Sequence, residues 1–483
     1  MSKKQLTPKS EDMSKWYTQV IQQAQLADYS PVKGCMVIRP NGYEIWEHIQ
    51  ASLDPELKKL GVRNSYFPLF IPLSFLSREA EHVKGFAPEL AVVTHGGGEE
   101  LAEKLVVRPT SETIMYEMYS KWIQSHRDLP LSLNQWNNVV RWEKRTYFFL
   151  RTTEFLWQEA HTAHSTHEEA WQMVLDGLEA YRKVSEEFLA IPVIKGRKST
   201  GEKFAGADLT TCIEAMMPDG KALQAGTSHD LGQNFSKKEA FNIAFQNQDN
   251  QLEYVWQTSY GFSTRNIGAL IMTHGDDEGL VLPPRIAPTQ VIIVPASNED
   301  DRVLEFTKML ELNLKQAGVR VHIDNRPTYS MGWKLNDAEL QGVPMSVIVG
   351  EREMNAAQLS VKIRHSGEKK TIAVENFEAE VAQLLETIQT QMLEKAKAKR
   401  ESLTHQDVSS YDNFKEIMVG SRGFIHAFWC ENAECEKQIK EETKATTRCL
   451  PFVDAAGNVE EANGACIRCG QPATHRWIFA QAY

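Results

Sequence analysis

Apolar residues between positions 10 and 26 recur at helical spacing, with Met13, Trp16, Tyr17, Val20 and Ile21 on one face, and predict an amphipathic helix. A short apolar strand follows at 34–38, and Asn41 offers an N-cap for a helix through Ile45, Trp46, Ile49 and Leu53 that ends near Gly61. Residues 64–72 read as one apolar strand interrupted by Pro68. Proline gives a ladder no N–H, so this strand belongs at an edge or an interface, with core packing inside one subunit as the competing reading. Residues 86–107 read as loops, with Gly96, Gly97 and Gly98 as a hairpin tip. Thr110 or Ser111 then caps a helix through Ile114, Met115, Met118 and Trp122.

From 139 to 164 the period changes to two, in VVRWEKRTYFFLRTTEFLWQEAHTAH. Alternation places Arg141 and Glu143 on one face of a strand; after a turn at 144–149, Arg151, Phe155, Trp157, Glu159 and His161 share a face of a second. An antiparallel hairpin gathers these groups on one surface. A solvated charged face is the bland interpretation, but aromatics on the charged side suit a concave site for a flat anionic ligand, with Phe155 against a ring and Arg141 and Arg151 on phosphates. A helix is expected at 164–190, a hairpin turning at Asp219-Gly220 between strands 210–217 and 221–225, and a strand at 254–259 before a helix at 269–272. Gly226 marks a close backbone approach beside Thr227, Ser228 and His229, and Arg265 follows small residues at a helix start, where an anion fits.

After the proline-rich stretch 280–288, strands at 290–294, 319–323 and 345–349 alternate with helices at 299–317 and 333–340, predicting an α/β unit with a largely parallel sheet and no dinucleotide fingerprint. Residues 394–400, EKAKAKR, end a helix with cations that suit its dipole. The last segment holds Cys430, Cys435, Cys466 and Cys469 in two closely spaced pairs, read as one structural, tetrahedral zinc site rather than free thiols. Cys449, Cys35 and Cys212 have no partner at ligand spacing.

At 483 residues the chain is too long for one core, and three units are expected: 1–283, 284–400 and 401–483. A formal charge of -11 argues against coating DNA through bulk charge, though not against a local basic groove. No apolar run can span a bilayer and the first residues lack a signal-peptide core, so a cytoplasmic place without membrane contact is expected.

These motifs together resemble those of the prolyl-tRNA synthetase family of class II aminoacyl-tRNA synthetases, in its short form with a C-terminal zinc domain: YFPLFIP (66–72), RPTSET (108–113), RWE (141–143), FLWQEAHTAH (155–164), LQAGTSH (223–229) and Arg265. The resemblance runs from about Trp16 to Tyr483. It implies an α/β and α+β multidomain chain with an antiparallel catalytic sheet, an α/β anticodon-binding domain and a small α+β zinc domain. It also implies a homodimer joined through 66–72.

By resemblance, Arg141 holds the α-phosphate of ATP, while Arg151 and Arg265 hold the outer phosphates with Mg²⁺. Glu143 meets the adenine amino group, Phe155 stacks on the ring, and Gln224 and Thr227 line the nucleotide site. Thr110 and Glu112 face the proline imino nitrogen, while Trp157, Glu159, His161 and Ser263 enclose the ring beside Gly226 and His229. Lys334, Glu339, Arg352 and Lys362 are candidates for tRNA contact, each competing with simple solvated surface. Some relatives carry an editing insertion, but only 121 residues (144–264) separate Glu143 from Arg265. Alanine and cysteine are therefore expected to be misactivated, since a missing methylene is worth only about 1–3 kcal/mol. A tRNA-binding regulator would be marked by loss of a phosphate arginine or Glu143, and all are present; proline adenylation for another carrier conflicts with the anticodon-like and zinc segments.

Overall fold

The structure, a computed structural model, describes residues 6–76, 85 and 89–483, so the first residues of the chain and of the expected 86–107 loop lie outside the described set. The N-terminal helix, Met13–Gln23, is capped by Asp12 and buries Trp16, Tyr17, Val20 and Ile21. Strands β1 (Ala27–Tyr29) and β2 (Met36–Ile38) pair antiparallel. The next helix, Pro40–Lys59, has Arg39 at its N-cap and proline at its first position, where the fixed φ suits a helix start. Asn41 therefore lies inside the first turn and donates to the Ala24 carbonyl at 3.3 Å instead of capping.

The strand expected over 64–72 is two short ones, β3 (Arg63–Asn64) and β4 (Phe70–Pro72), split around Pro68. Each is a sheet edge, as proline demands. The expected 86–107 loop instead contains β5 (Ala91–Gly96) and β6 (Glu99–Val107), a hairpin whose tip is Gly97 and Gly98, both at positive φ. The charged and exposed Glu99, Glu100, Glu103 and Lys104 conceal that strand from a hydrophobicity pattern.

The main sheet contains β7 (Leu131–Val140), β8 (Glu154–His164), β9 (Val193–Arg197), β10 (Leu209–Met216), β11 (Ala222–Gly232) and, after a small β12–β13 ribbon (Ala244–Gln246, Leu252–Tyr254), β14 (Trp256–Ser263). Their order is β9-β10-β11-β14-β8-β7, all antiparallel, with β3 beside β7. The anticipated hairpin is β7–β8, but its first strand ends at Val140, which leaves Arg141 and Glu143 in the connecting loop. Helix His167–Lys183 covers one face, where Tyr181 packs on Phe262 at 5.1 Å.

A second sheet, ordered β16-β15-β17-β18-β19, is built from β15 (Val291–Pro295), β16 (Val321–Ile323), β17 (Met345–Val349), β18 (Gln358–Ile363) and β19 (Lys369–Ala373). Only β15, β16 and β17 are parallel; the β18–β19 hairpin makes the sheet mixed, because its alternating polar residues carry no buried-strand signature. The 26-residue helix Phe377–Ser402 leads to β20 (Thr404–His405), β21 (Phe424–Trp429), β22 (Ala445–Pro451), the β23–β24 ribbon (Gly464–Ala465, Pro472–Ala473) and β25 (His475–Gln481).

This last unit extends the main sheet rather than standing apart. β22 pairs with β9 through Leu450–Arg197 and Pro451–Gly196, giving eleven strands in one sheet. The approach is so close that a Cβ on Gly196 would lie 2.4 Å from the Leu450 carbonyl oxygen. Across the junction, the fully buried Glu214 accepts from Lys198 at 2.7 Å and from Arg448 at 3.0 Å. Removing the carboxylate leaves two buried cations with neutral acceptors only, the Arg448 carbonyl for Lys198 and Thr446 for Arg448. Glu214→Ala is expected to cost about 3–5 kcal/mol in urea unfolding; a loss under about 1 kcal/mol would show that the junction does not depend on this cluster.

Candidate active site

Helix Glu112–Trp122 starts against the end of β7, and here the hydroxyls expected to cap it do something else. Ser111 occupies the N-cap position, but its hydroxyl donates to Glu159, and Thr110 donates to Glu112. Glu159 also accepts from the Ser111 amide at 3.0 Å, Gln135 at 2.9 Å, Asn137 at 2.7 Å and His161 at 3.0 Å. Gln135 is paired directly with Glu159 across β7–β8, which explains its reach. Burial opposes charge on Glu159, but bonds from His161, Ser111 and Asn137 outweigh it and hold its carboxyl at about 2.

The carboxylates of Glu159 and Glu112 thus differ. Glu159 is saturated by five donor groups from four residues, Ser111, Gln135, Asn137 and His161, and acts as a structural anion, whereas the hydrogen bond described for Glu112 comes from Thr110. Burial disfavours charge on His161, yet the Glu112 charge and the bond and charge of Glu159 raise its pKa overall. Burial, with His161 and Arg141 nearby, lowers His229 to about 3, so that ring is neutral. Its Nδ1 lies 2.9 Å from the Thr210 hydroxyl and its ring packs on Phe204 at 4.6 Å.

These side chains line a cavity of about 170 Å³. That is below the roughly 300–1,000 Å³ typical of sites for drug-sized ligands and fits something of amino-acid size. Thr110, Glu112, Arg141, Trp157, Glu159, His161, Gln224, Thr227 and His229 line it as the sequence suggested. Two buried polar atoms at the cavity, Trp157 Nε1 and Ser259 Oγ, have no hydrogen-bond partner among the described residues. Buried donors in that state are ready for a polar ligand.

Gly226 and Ser263 are not part of this lining. A Cβ on Gly226 would lie 2.9 Å from Tyr181 on the covering helix, so the glycine serves helix–sheet packing; Ser263 Oγ accepts from the Arg265 amide at 3.2 Å. Sequence reasoning missed Glu202, Lys203, Phe204, Thr210, Ser259, Tyr260 and Gly261. An isolated phenylalanine in the polar, glycine-bearing stretch GEKFAGAD (201–208) was the available signal.

Three arginines stand around the cavity. Arg141 bonds the Pro109 carbonyl at 3.1 Å and lies over Phe155 and Trp157, 5.5 and 5.4 Å from their ring centroids. Arg265, at the start of helix Arg265–His274, bonds the Leu150 and Gln224 carbonyls, and Arg151 pairs with Glu143 at 3.4 Å. Burial, then the Arg151 and Arg141 charges, pull Arg265 down to about 10. A buried cation destabilised by two neighbouring cations marks a place for a multivalent anion.

Two further clusters match the sequence reading. The Sγ atoms of Cys430, Cys435, Cys466 and Cys469 lie within 4.8 Å of one another, with the 435–466 and 430–469 pairs at 3.6 Å. Tetrahedral thiolates at about 2.3 Å from zinc are about 3.8 Å apart, so the four residues could hold such an ion. In the second unit, Tyr329 stacks on Trp333 at 3.9 Å beside a cleft of about 660 Å³, and Arg326 lies 5.0 Å from both rings. Glu339 lines this cleft and pairs with Lys362; Lys334 is buried, and Arg352 is exposed on Glu351–Ala356.

An antiparallel sheet bearing a small amino-acid-sized cavity ringed by arginines, followed by an aromatic cleft on an α/β unit, defines a class II aminoacyl-tRNA synthetase. Residues 94–274 match the tRNA synthetase class II core domain (G, H, P, S and T), 290–384 the anticodon binding domain, and 411–483 the prolyl-tRNA synthetase C-terminal domain. The chain is 54% identical to the proline–tRNA ligases of Chlorobium luteolum, over 484 residues, and Chloroherpeton thalassium, over 485, with 99% of each chain covered. It superposes on the crystal structure of prolyl-tRNA synthetase from Cryptosporidium parvum complexed with halofuginone and AMPPNP, with a TM-score of 0.94 and 42% identity over 100% of this chain and 98% of that one. The chain belongs to the prolyl-tRNA synthetase family.

His161 supplies a pH test. The upward shift favours the imidazolium beside Glu112, where it competes with the ammonium of an amino-acid substrate; deprotonation on raising the pH removes that competitor. The KM for the amino acid is expected to fall severalfold as pH rises through this transition, and His161→Gln to flatten the profile. A KM that rises with pH, or an unaltered profile in the variant, would exclude this role.

Proposed function

We infer that the protein is an ATP-dependent proline–tRNA ligase, and the three arginines around a small, carboxylate-bearing cavity carry that reading. An oxygen of the proline carboxylate attacks the α-phosphorus of ATP, forming a P–O bond as the bond to pyrophosphate breaks. A hydroxyl of the terminal tRNA ribose then attacks the carbonyl of prolyl-adenylate, and AMP leaves.

In this mechanism Arg141 stabilises charge developing on the α-phosphate, and Arg151 and Arg265 hold the outer phosphates. Mg²⁺, when bound, would screen those phosphates. Glu143 accepts from the adenine amino group, Phe155 lies against the base, and Gln224 and Thr227 complete the nucleotide site. Glu112 and Thr110 receive the proline ammonium, because Glu159 is already saturated. Trp157, His161 and His229 surround the ring, and Gly226 and Ser263 support the wall from behind. No side chain becomes covalently attached, so positioning and electrostatics supply the rate.

The four clustered cysteines hold a structural Zn²⁺, whose four protein ligands leave no reactive position. The edge strand β4 and the exposed Tyr66, Phe70 and Trp122 support a homodimer through this face. The aromatic cleft beside Tyr329 and Trp333 takes the anticodon. Among the described residues no helix is long and apolar enough to cross a membrane; the protein acts on tRNA in the cytoplasm.

Pyrophosphate exchange without tRNA is expected with proline and, more weakly, with alanine and cysteine; Arg141→Ala should lower the proline rate by about a hundredfold or more. Absence of exchange with any amino acid in a folded protein would defeat the enzymatic reading. Mass spectrometry under native conditions is expected to give a dimer with one zinc per chain; a zinc-free monomer with full activity would remove both assignments.

A further inference from the structure

Where β9 ends at Arg197, its pairing with β22 stops and the sheet opens. The opening is a cleft of about 240 Å³ between the catalytic strands and the cysteine-bearing unit, lined by Arg197, Lys203, Thr210, Trp429, Glu431 and Trp477 among others. Lys203 and Thr210 also line the active-site cavity, so the two spaces share a wall.

The chemistry of the cleft is mixed in a specific way. Arg197 forms no ion pair among the described residues, and the Lys203 ammonium donates to the Ala207 carbonyl at 2.6 Å. The two indoles meet edge to face at 5.1 Å. Trp477 Nε1 donates to Glu431 at 3.1 Å, but Trp429 Nε1, on a residue only 3% exposed, has no acceptor among the described residues. Glu431 has a left-handed φ of 58° directly after Cys430, and His475 holds its carboxylate at 2.6 Å. One wall is thus fixed by the cysteine cluster, with a buried N–H still in need of an acceptor.

Resting on the synthetase reading, we propose that this cleft receives the unpaired nucleotide preceding the terminal adenosine of tRNA. When the terminal ribose enters the active-site cavity, the preceding nucleotide has to lie in an adjoining space. A pyrimidine carbonyl accepts from Trp429 Nε1, while Arg197 and Lys203 face its phosphates; cations beside aromatic groups are the usual receptor for single-stranded RNA. The cysteine-bearing unit therefore contributes directly to acceptor-end placement.

The test uses the full-length protein with Arg197→Gln and, separately, Trp429→Phe, which keeps a ring and removes the N–H. Proline-dependent pyrophosphate exchange is expected to stay within about twofold of the parent, while kcat/KM for tRNA charging falls about tenfold, equivalent to about 1.4 kcal/mol. A photoreactive pyrimidine at the penultimate position of the tRNA should crosslink to the peptide containing Trp429 and Glu431. Charging unchanged in both variants, exchange and charging falling together, or crosslinks confined to other segments would each overturn the proposal. Absence of exchange in the parent protein would instead defeat the synthetase reading itself.

Discussion

A carboxylate removed from water has to be surrounded by donors, and the catalytic unit is arranged around that requirement at Glu159. Its partners come from the start of helix Glu112–Trp122, from β7 and from β8, so one anion fixes the relation of three segments. The saturation of Glu159 has a chemical result. It leaves Glu112 with unused acceptor capacity, and together with Glu112 it shifts His161 toward its protonated form.

Much of this was legible because period-two alternation put Arg151, Phe155, Trp157, Glu159 and His161 in register on one strand-like run. The β7–β8 hairpin follows from the same pattern, although its extent does not. Arg141 and Glu143 continue the alternation past the last strand residue, and only tertiary placement shows that they occupy a loop. Gly226 illustrates a different limit: a glycine announces close approach but not its direction, and here the neighbour is Tyr181 on the covering helix. Ser259 and Gly261 were not legible, since their importance arises from strands that come together across long sequence separations.

Domain organisation shows the same divide between local and distant information. Composition marks a cysteine-rich end, yet nothing local reveals that β22 continues the catalytic sheet or that Arg448 shares Glu214 with Lys198. Cys449, alone by spacing, is buried in one apolar cluster with Cys212 beside that seam. The final Tyr483 is tied to the β10–β11 turn, its hydroxyl 2.6 Å from Asp219 and its ring under Lys221.

Helix Phe377–Ser402 links the α/β unit to this extended sheet, and its 26 residues span about 39 Å at 1.5 Å per residue. It is also braced midway, where Gln389 donates to the Glu187 carbonyl at 2.8 Å and Arg285 pairs with Glu386 at 2.7 Å. A braced rod of fixed length behaves as a ruler. A nucleic acid gripped at both ends is measured as well as read, and a molecule with correct bases but the wrong span would fit one end at the expense of the other.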